Sequence, residues 1–550
     1  MHRATVLRSI KKNTNGWLLS SLIGAAVLLL PIFSIFISLF ETPNENWQHI
    51  KQYLLTDYVL QTIWLVLFTG ISTVMIGVAL AWLVAAYDFP LKRFFRWGLI
   101  LPLAIPPYIA AYTYSAMLSY TGVVQTTLRN AFGLTPDARW FDIMSLPGAV
   151  FIFTMFLYPY VYMITRAFLE NQSGSYIENA MLLGRRGGAI FFKVALPLSR
   201  PAIIGGLMLV IFEVISDYGV TSYYGIQTFS TAIFHTWFGM YDVDSALRLA
   251  AWLMTGIIGL FVIERILRHN RRFSASTSKS TRLSAKRLSG IGGWTATVFC
   301  SLIFACAFLI PVLQLIVWAT WTYEDVFTDA FFELTYNTLF VAVIATIIIM
   351  VFAVIVANVC RMQNNTFSSI LSKLVAAGYS LPGAIIAIGV LGMCIGLDEL
   401  LGPLYVRMGW GDSPLVLSMS LVMLVTAYVV RFMATGYNSV EAGFEKVGIS
   451  YTEASRLLGY GMTRTFFKVD LPLIKGALFS GTILTFVEIV KELPMALLLR
   501  PFNFETLATK TYQYASDERI FEASIPSLFI IGVSMISVLI FYQLGKKLEQ

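Results

Sequence analysis

YIENAMLLGRRGGAIFFKVALPLSRPAI, residues 176–203, recurs as YTEASRLLGYGMTRTFFKVDLPLIKGAL, residues 451–478, exactly half of the 550-residue chain further on. Of the 28 aligned positions 13 are identical, and they include Glu178/Glu453, Gly184/Gly459 and Lys193/Lys468. A matched polar segment arises less easily by chance than a matched apolar one, because apolar residues of similar size replace one another freely. The repeat predicts two equivalent halves and indicates that these two repeated segments carry function.

The composition is that of a membrane protein. The chain is 57% hydrophobic and 13% charged, with a mean hydropathy of +0.72, whereas soluble domains carry about 25% charged residues. The net charge of +8 is explained by basic loops that fix orientation in a bilayer, so we expect no nucleic-acid partner. The chain contains no GxxxxGK[ST] sequence, and we therefore expect no phosphate-binding loop of its own.

Twelve segments are long and apolar enough to cross a bilayer, which takes about 20 residues. They predict an all-α polytopic membrane protein of about 12 transmembrane helices. The predicted spans are 17–40, 62–87, 97–118, 147–168, 202–219, 247–267, 293–318, 335–359, 371–395, 413–433, 476–491 and 525–544. The first follows four basic residues and lacks a cleavage site, so it is interpreted as an uncleaved anchor.

The loops between these spans alternate in charge. The N-terminus and loop 88–96 are basic, whereas loops 41–61 and 319–334 are acidic. The positive-inside rule then places both termini and both repeated segments in the cytoplasm. Because each half has six spans, it begins and ends on the same side of the membrane. The two halves are therefore predicted to be parallel repeats.

The predicted domains are a first half (1–268), a basic, serine-rich cytoplasmic linker (269–290) and a second half (291–550). The composition of the linker is typical of a flexible connector. The translocation path is expected where the two halves meet.

Each repeated segment has the sequence of a helix that turns. Residues 175–183 favour a helix, and Gly184 suits the position after its end, where a positive φ is needed. A second short helix over 189–195 is expected to stop at Leu196-Pro197, because proline lacks an N–H group. The sequence leaves two interpretations: a rigid docking element on the cytoplasmic face, or an interfacial helix that lies on the lipid headgroups.

Four acidic residues lie near the membrane at matched positions. Glu213 and Asp217 are four residues apart and are expected on one face of the fifth span, and Glu488 and Glu492 repeat this on the eleventh. Ionisable residues in spans usually face a cavity or a partner. The four acids either line the translocation path near its outer end or are structural, at the periplasmic interface or paired with Lys491.

The repeated segments resemble the signature E-A-A-x3-G-x9-I-x-L-P of permease subunits of binding-protein-dependent ABC importers. The matching residues are Glu178, Ala180, Gly184, Leu196 and Pro197, and again Glu453, Ala454, Gly459, Leu471 and Pro472. Asn179, Ser455 and a valine in place of isoleucine depart from it.

The resemblance implies a type I importer permease in the bacterial inner membrane. It also implies ATPase-coupling loops at about 170–200 and 440–475, in which the glycines make the turn. The implied partners are two copies of a cytoplasmic ATP-binding subunit and a periplasmic solute-binding protein. ATP and Mg would then bind to the ATPase partner, with no catalytic site, metal site or cofactor expected in this chain.

Three further stretches, 157–170, 216–242 and 491–519, resemble fused ferric-iron permeases. They imply iron(III) as the cargo, a hard cation that favours oxygen ligands such as carboxylates. Thiamine and phosphonate permeases have similar layouts and stay open as alternatives. An ion-coupled secondary transporter would have no need for two matched docking segments, and an integral membrane enzyme would need a catalytic cluster that the sequence lacks.

Overall fold

The structure, a computed structural model, describes residues 16–40, 42–135, 137–172, 174–185, 187–269, 285–363, 366–378, 381–409, 415–418 and 420–549. The α-helices of its first half are Gly16–Ser38, Glu45–His49, Leu55–Ala86, Lys92–Gly98, Pro107–Leu118, Val123–Phe132, Leu146–Gln172, Gly174–Leu182, Gly187–Ile190, Leu196–Ser216, Gly219–Tyr223, Phe229–Phe234 and Val243–His269. Those of its second half are Ile291–Phe304, Ile310–Val326, Asp329–Met362, Thr366–Ala377, Gly383–Arg407, Leu421–Val447, Ser450–Leu457, Met462–Thr465, Leu471–Val490, Pro494–Leu499, Leu507–Ser516 and Ser524–Glu549.

Several of these helices are joined end to end by π-helical turns. The π-helical turns are Ile50–Leu54, Phe191–Ala195, His235–Gly239, Ala305–Leu309 and Phe466–Asp470, and the 3₁₀ turns are Leu101–Ala104 and Ala138–Phe141. The β structure of the described residues is one parallel pair of two-residue strands, Tyr87–Asp88 and Lys286–Arg287. The protein is therefore helical, as predicted.

The predicted spans are found as helices. Among the described residues ten helices are long and apolar enough to cross a membrane, or eleven if one bent pair counts as a span, and Ser524–Ile540 in the twelfth predicted span is a shorter apolar helix. The bent pair, Lys92–Ala104 and Pro107–Phe132, meets at 90° where one straight third span was expected. The ninth span is also displaced: Gly383–Arg407 begins directly after Leu381-Pro382, and Pro382 occupies the N-cap position of this helix.

The helices also continue past the apolar segments that predicted them. The second span forms part of one 42-residue helix, Glu45–Ala86, so most of the predicted loop 41–61 is helical. An apolar segment shows which residues cross the hydrocarbon of the bilayer, and it does not show where the helix ends. A helix can continue into water beyond the bilayer and keep its backbone hydrogen bonds.

The helices form two compact units, which we describe separately. One comprises the described parts of Met1–Asn44, Ile233–Met254 and Asp329–Thr509, and in it Gly16–Ser38 packs against Gly383–Arg407. The other comprises the described parts of Glu45–Ala232, Thr255–Thr328 and Lys510–Gln550. Each unit contains helices from both sequence halves, so the repeat boundary predicted at 269–290 is not a boundary between packed units.

The end of the linker is ordered. Lys286–Arg287 pairs with Tyr87–Asp88, and the N–H of Leu288 donates to the carbonyl oxygen of Asp88 at 2.8 Å. The prediction of a flexible connector up to residue 290 is therefore wrong for its last residues, whose backbone groups find partners on loop 88–96. Residues 270–284 lie outside the described residues.

Within each unit the repeated helices pack through a matched glycine. A methyl group added at Gly206 would lie 2.7 Å from Cα of Val161, and one at Gly481 would lie 2.8 Å from Cβ of Ser439. Contacts this short are essentially never seen for a real Cβ atom. In each half, glycine therefore allows the membrane helix that follows the repeated segment to pack closely against the membrane helix that precedes it. The two glycines are 275 residues apart, like the repeated segments.

We expect Gly206→Ala to lower the stability of the folded protein by about 1–3 kcal/mol, the usual result of overpacking. Gly205→Ala is the matched control, since a methyl group there meets nothing within 4 Å. The control should be neutral or stabilising by up to about 1 kcal/mol, because alanine favours helix over glycine. Unfolding temperatures in detergent micelles measure both; equal temperatures for the two variants would contradict the packing described.

Candidate functional site

Each repeated segment begins with a short helix that ends in a glycine turn. Gly174–Leu182 is followed by Gly184 at φ +79°, and Ser450–Leu457 by Gly459 at φ +88°. In the first copy the N–H of Arg185 donates to the oxygen of Ala180 at 3.0 Å. In the second, the N–H of Tyr460 donates to the oxygen of Ser455 at 3.3 Å. Both are Schellman turns, and the predicted C-cap role of the two glycines is confirmed.

After the turn, each segment runs into the membrane helix without a stop. Gly187–Ser216 and Met462–Val490 are each continuous, so the prediction that a separate short helix stops at Leu196-Pro197 is wrong. The five residues before each Leu-Pro pair form a π-helical turn, in which the N–H of Leu196 donates to the oxygen of Phe191. The wider turn moves the preceding carbonyls away from the proline ring, which would clash with them in a regular α-helix.

The same arrangement occurs a third time, which supports this explanation. The π-helical turn Ala305–Leu309 is followed by Ile310-Pro311 at the same spacing. A proline two residues after the turn is therefore what these three sites share. In each repeated segment the helix that follows the surface turn therefore continues through the π-helical turn into the membrane span.

The turn presents two exposed leucines in each copy. Leu182 and Leu183 are 85% and 83% exposed, and Leu457 and Leu458 are 89% and 79% exposed. Apolar side chains exposed together beside a rigid turn are typical of a protein-binding surface. The sequence analysis missed them because leucine also favours helices; the identical Leu-Leu-Gly in both copies was the available signal.

The predicted coupling residues surround these leucines with varied exposure. Glu453 and Ala454 are exposed, Glu178 is half-buried and Ala180 is buried. Leu196, Pro197 and Leu471 are half-buried, and Pro472 is exposed. The two glutamates lie on the short helices that end at the first leucine of each pair, four and five residues before the two leucines.

The two copies are held to their units by different chemistry. In the first, Ile177 and Ala195 are fully buried in an apolar cluster with Ala81, Val84 and Leu169. The residues 275 positions later are Thr452 and Asp470, both 2% exposed. The first copy is thus fixed by apolar packing, and the second carries a buried acid at the matching place.

The buried acid is paired with an arginine. Arg361 Nη1 lies 3.2 Å from Asp470 Oδ1, and its Nη2 donates to Thr452 Oγ1 at 3.0 Å. The Thr452 hydroxyl donates to Asp470 Oδ1 at 2.5 Å, and Arg361 also donates to the carbonyl oxygen of Gly448. We call Arg361, Thr452 and Asp470 the polar lock. It ties the second repeated segment to the end of the helix Asp329–Met362.

Two of the four predicted path acids begin new helices instead of lying on the spans. The helices end at Ser216 and Val490, so the prediction that Asp217 and Glu492 share a helical face with Glu213 and Glu488 is wrong. Asp217 Oδ1 accepts from the N–H of Val220 at 2.8 Å and caps Gly219–Tyr223.

Glu492 has the same role in the second half. Its Oε2 accepts from the N–H groups of Met495 and Ala496 at 3.0 and 3.3 Å, at the start of Pro494–Leu499. An acidic side chain at a helix N-terminus satisfies backbone N–H groups that have no other partner. A four-residue spacing places two acids on one helical face only if the helix continues through both of them. Here each helix ends between its two acids, at Ser216 and at Val490.

Glu213 and Glu488 are on the spans. Both are half-buried, and Glu488 Oε1 pairs with Lys491 Nζ at 2.8 Å, as in the structural alternative that the sequence left open. The role of these acids in a translocation path stays a prediction. Among the described residues no group of three or more His, Cys, Asp or Glu side chains is placed to hold a metal ion.

The fold and the paired segments define a polytopic membrane protein with two matched surface turns. A family described as "Binding-protein-dependent transport system inner membrane component" matches residues 73–272 and again 349–550. The two matches together cover more than half of the chain, and each contains one repeated segment. The chain therefore belongs to this family of multi-pass inner-membrane permeases of ABC importers.

Individual relatives are distant but extensive. The chain is 22% identical to the Fe(3+)-transport system permease protein FbpB 2 of Haemophilus influenzae, over 88% of this chain and 89% of that protein. It is also 22% identical to the ferric transport system permease protein FbpB of Actinobacillus pleuropneumoniae, over 84% of this chain and 68% of that protein. The sulfate transport system permease protein CysW of Escherichia coli is 27% identical over 36% of this chain and 67% of its own length.

We expect Asp470→Ala to destabilise the second repeated segment by about 3–5 kcal/mol, because Arg361 would stay buried without its partner. The double variant Arg361→Ala with Asp470→Ala should cost less, since it removes both charges and leaves alanines, as at Ala86 and Ala195 of the first copy. Unfolding temperature and protease cleavage within 448–470 measure the effect. The polar lock is refuted if Asp470→Ala matches the wild type in both measurements.

Proposed function

We propose that this chain is the membrane conduit of an ATP-driven importer and that its two repeated segments each receive one copy of a separate ATP-binding subunit. The observation that carries the proposal is the pairing, in both copies, of an exposed leucine pair with a glycine turn, followed three residues after the glycine by a helix that continues as a membrane span. A force applied at such a turn would pass to the helix that follows it, which continues as the membrane span from Gly187 and Met462 onward. Each predicted half, 1–268 and 291–550, supplies one docking segment.

The proposed orientation places both termini and both turns in the cytoplasm. It is supported by the alternation of basic and acidic loops. A periplasmic solute-binding protein would then deliver cargo at the opposite face, where the aromatic-rich stretch 219–246 lies. ATP and Mg are assigned to the ATPase partner, and this chain has no catalytic site or cofactor in the proposal.

The proposed cargo is iron(III). The relatives named for ferric transport align along most of this chain, whereas the sulfate permease and the molybdenum transport permease ModB align with 36% and 26% of it. Thiamine, phosphonate or another small solute carried by the same class of importer is the second candidate. Membership in the binding-protein-dependent family counts against an ion-coupled secondary transporter.

We expect the double variant Gly184→Glu with Gly459→Glu to uncouple ATP hydrolysis from transport. The substitution puts a charged side chain on a residue with positive φ, so it distorts the turn as well as repelling an apolar partner. ATPase activity and uptake of the reconstituted complex would be measured at equal membrane abundance, with uptake expected to fall to background.

The matched control is Gly184→Asn with Gly459→Asn. Asparagine tolerates the left-handed backbone conformation and adds no charge, so this variant should keep most of its transport. If the glutamate variant still binds the ATPase and transports like the wild type, the repeated segments are not the docking site.

The cargo is tested by uptake into proteoliposomes that contain this permease, its ATPase and its binding protein. We expect ATP-dependent uptake of iron(III) that excess sulfate, molybdate, thiamine or phosphonate does not reduce. Transport of one of those solutes without iron(III) uptake would leave the coupling proposal intact and reject iron(III) as the cargo.

We further propose that Glu213 and Glu488, the two acids on the spans, contact the path. Replacing both by glutamine keeps their size and removes their charge, so uptake should fall at normal membrane abundance. Replacing the helix caps Asp217 and Glu492 by asparagine tests the alternative, because a capping role survives this change. Unchanged uptake in the Glu213→Gln and Glu488→Gln double variant would reject the path role.

A further inference from the structure

A groove of about 660 Å³ lies beside the second repeated segment. It runs between the helices Gly16–Ser38, Asp329–Met362 and Met462–Val490, and its lining includes Trp17, Val351, Val354, Phe467 and Leu478. Its volume is within the range of ligand pockets, about 300–1,000 Å³. All three helices are apolar enough to cross a membrane, and the groove lining contains the exposed Val351 on one of them, so we infer that the groove opens toward the hydrocarbon of the bilayer.

One end of the groove is closed by a tryptophan. Trp17 Nε1 donates to Thr463 Oγ1 at 3.2 Å, and its ring meets the edge of Phe466 at 4.9 Å between centroids. Tryptophan is enriched where a membrane helix leaves the hydrocarbon for the headgroup region. This end of the groove therefore lies at the level of the headgroups, and the rest extends into the bilayer.

Basic residues occur next to the lining residues of this end in the sequence. Arg464 and Lys468 are exposed and adjacent in sequence to the lining residues Thr463 and Phe467. The sequence also places Arg3, Arg8, Lys11 and Lys12 directly before Gly16, the first residue of the groove. Clusters of four to eight basic residues next to the start of a membrane helix are typical of binding to anionic lipids.

We propose that this groove binds one anionic phospholipid, with an acyl chain along Val354 and Leu478 and the phosphate beside Arg464 and Lys468. A hydrocarbon chain fits the apolar lining, and the negative phosphate complements the rim. The proposal rests on the proposed function in one respect, the cytoplasmic orientation of the repeated segments.

Because the groove lies beside the second repeated segment, a lipid bound in it would affect the coupling of that segment to its membrane helix. Phe466 and Phe467 belong to the π-helical turn that joins the second docking segment to its membrane helix. A lipid packed against Phe467 fills space beside this joint and restricts its movement. The equivalent joint of the first copy, Phe191–Ala195, packs instead in the apolar cluster of its own unit.

Native mass spectrometry of the full-length purified protein tests the proposal. The probes are phosphatidylglycerol and phosphatidylcholine with the same acyl chains, supplied together in mixed micelles. We expect the wild type to retain phosphatidylglycerol preferentially. Val354→Trp should lower its retention at least fivefold by filling the groove, and Lys468→Ala about fivefold by removing one basic contact.

Val343→Trp is the matched control, since Val343 is 46% exposed on the same helix and does not line the groove; it should retain lipid like the wild type. Equal retention of the two lipids, or unchanged retention in Val354→Trp, would overturn the proposal. The assay contains no ATPase, binding protein or cargo, so its failure is distinguishable from failure of the proposed function.

Discussion

A helix that enters a membrane cannot leave its backbone groups without partners, and this constraint governs how each repeated segment meets its span. An unsatisfied N–H or C=O group in hydrocarbon costs several kcal/mol. Pro197 and Pro472 each remove one N–H near this boundary, yet the helices Gly187–Ser216 and Met462–Val490 stay continuous. A π-helical turn precedes each of these prolines, and each helix runs on through it into the membrane span.

The two repeated segments join their membrane helices through similar backbone structures, but different side-chain interactions hold the two segments in place. Matched glycines let both membrane helices approach a neighbour closely, and matched Schellman turns end both short helices. The first copy is then held by apolar burial around Ile177, and the second by the Arg361–Asp470 pair. A buried ion pair needs well-defined geometry to offset its desolvation, so the second segment is fixed in a more particular position than apolar packing requires.

The repeat, the spans and the glycine turns could be predicted because each depends on local sequence. Gly184 and Gly459 needed only a helix followed by glycine, and the spans needed only apolar length. The π-helical turns could not be predicted, because a Leu-Pro pair is compatible both with the end of a helix and with a helix that continues after a π-helical turn. Asp217 was misplaced because its four-residue spacing from Glu213 assumes that the helix continues. The polar lock joins residues 109 positions apart, although Asp470 in place of Ala195 was a visible difference between the copies. The grouping of helices from both halves into each unit depends on long-range packing that no local pattern encodes.

The central claim is that both turns contact the same kind of ATPase subunit. A photo-reactive phenylalanine analogue at Leu182 or Leu457, in the complex purified with its ATPase, tests this directly. Trp140 is the control, because it is 85% exposed and follows the basic loop 88–96 by one predicted span, so it is expected on the opposite face. The account predicts cross-links to the ATPase from both leucine positions and none from Trp140. Cross-links from neither leucine position, or from Trp140 alone, would contradict it.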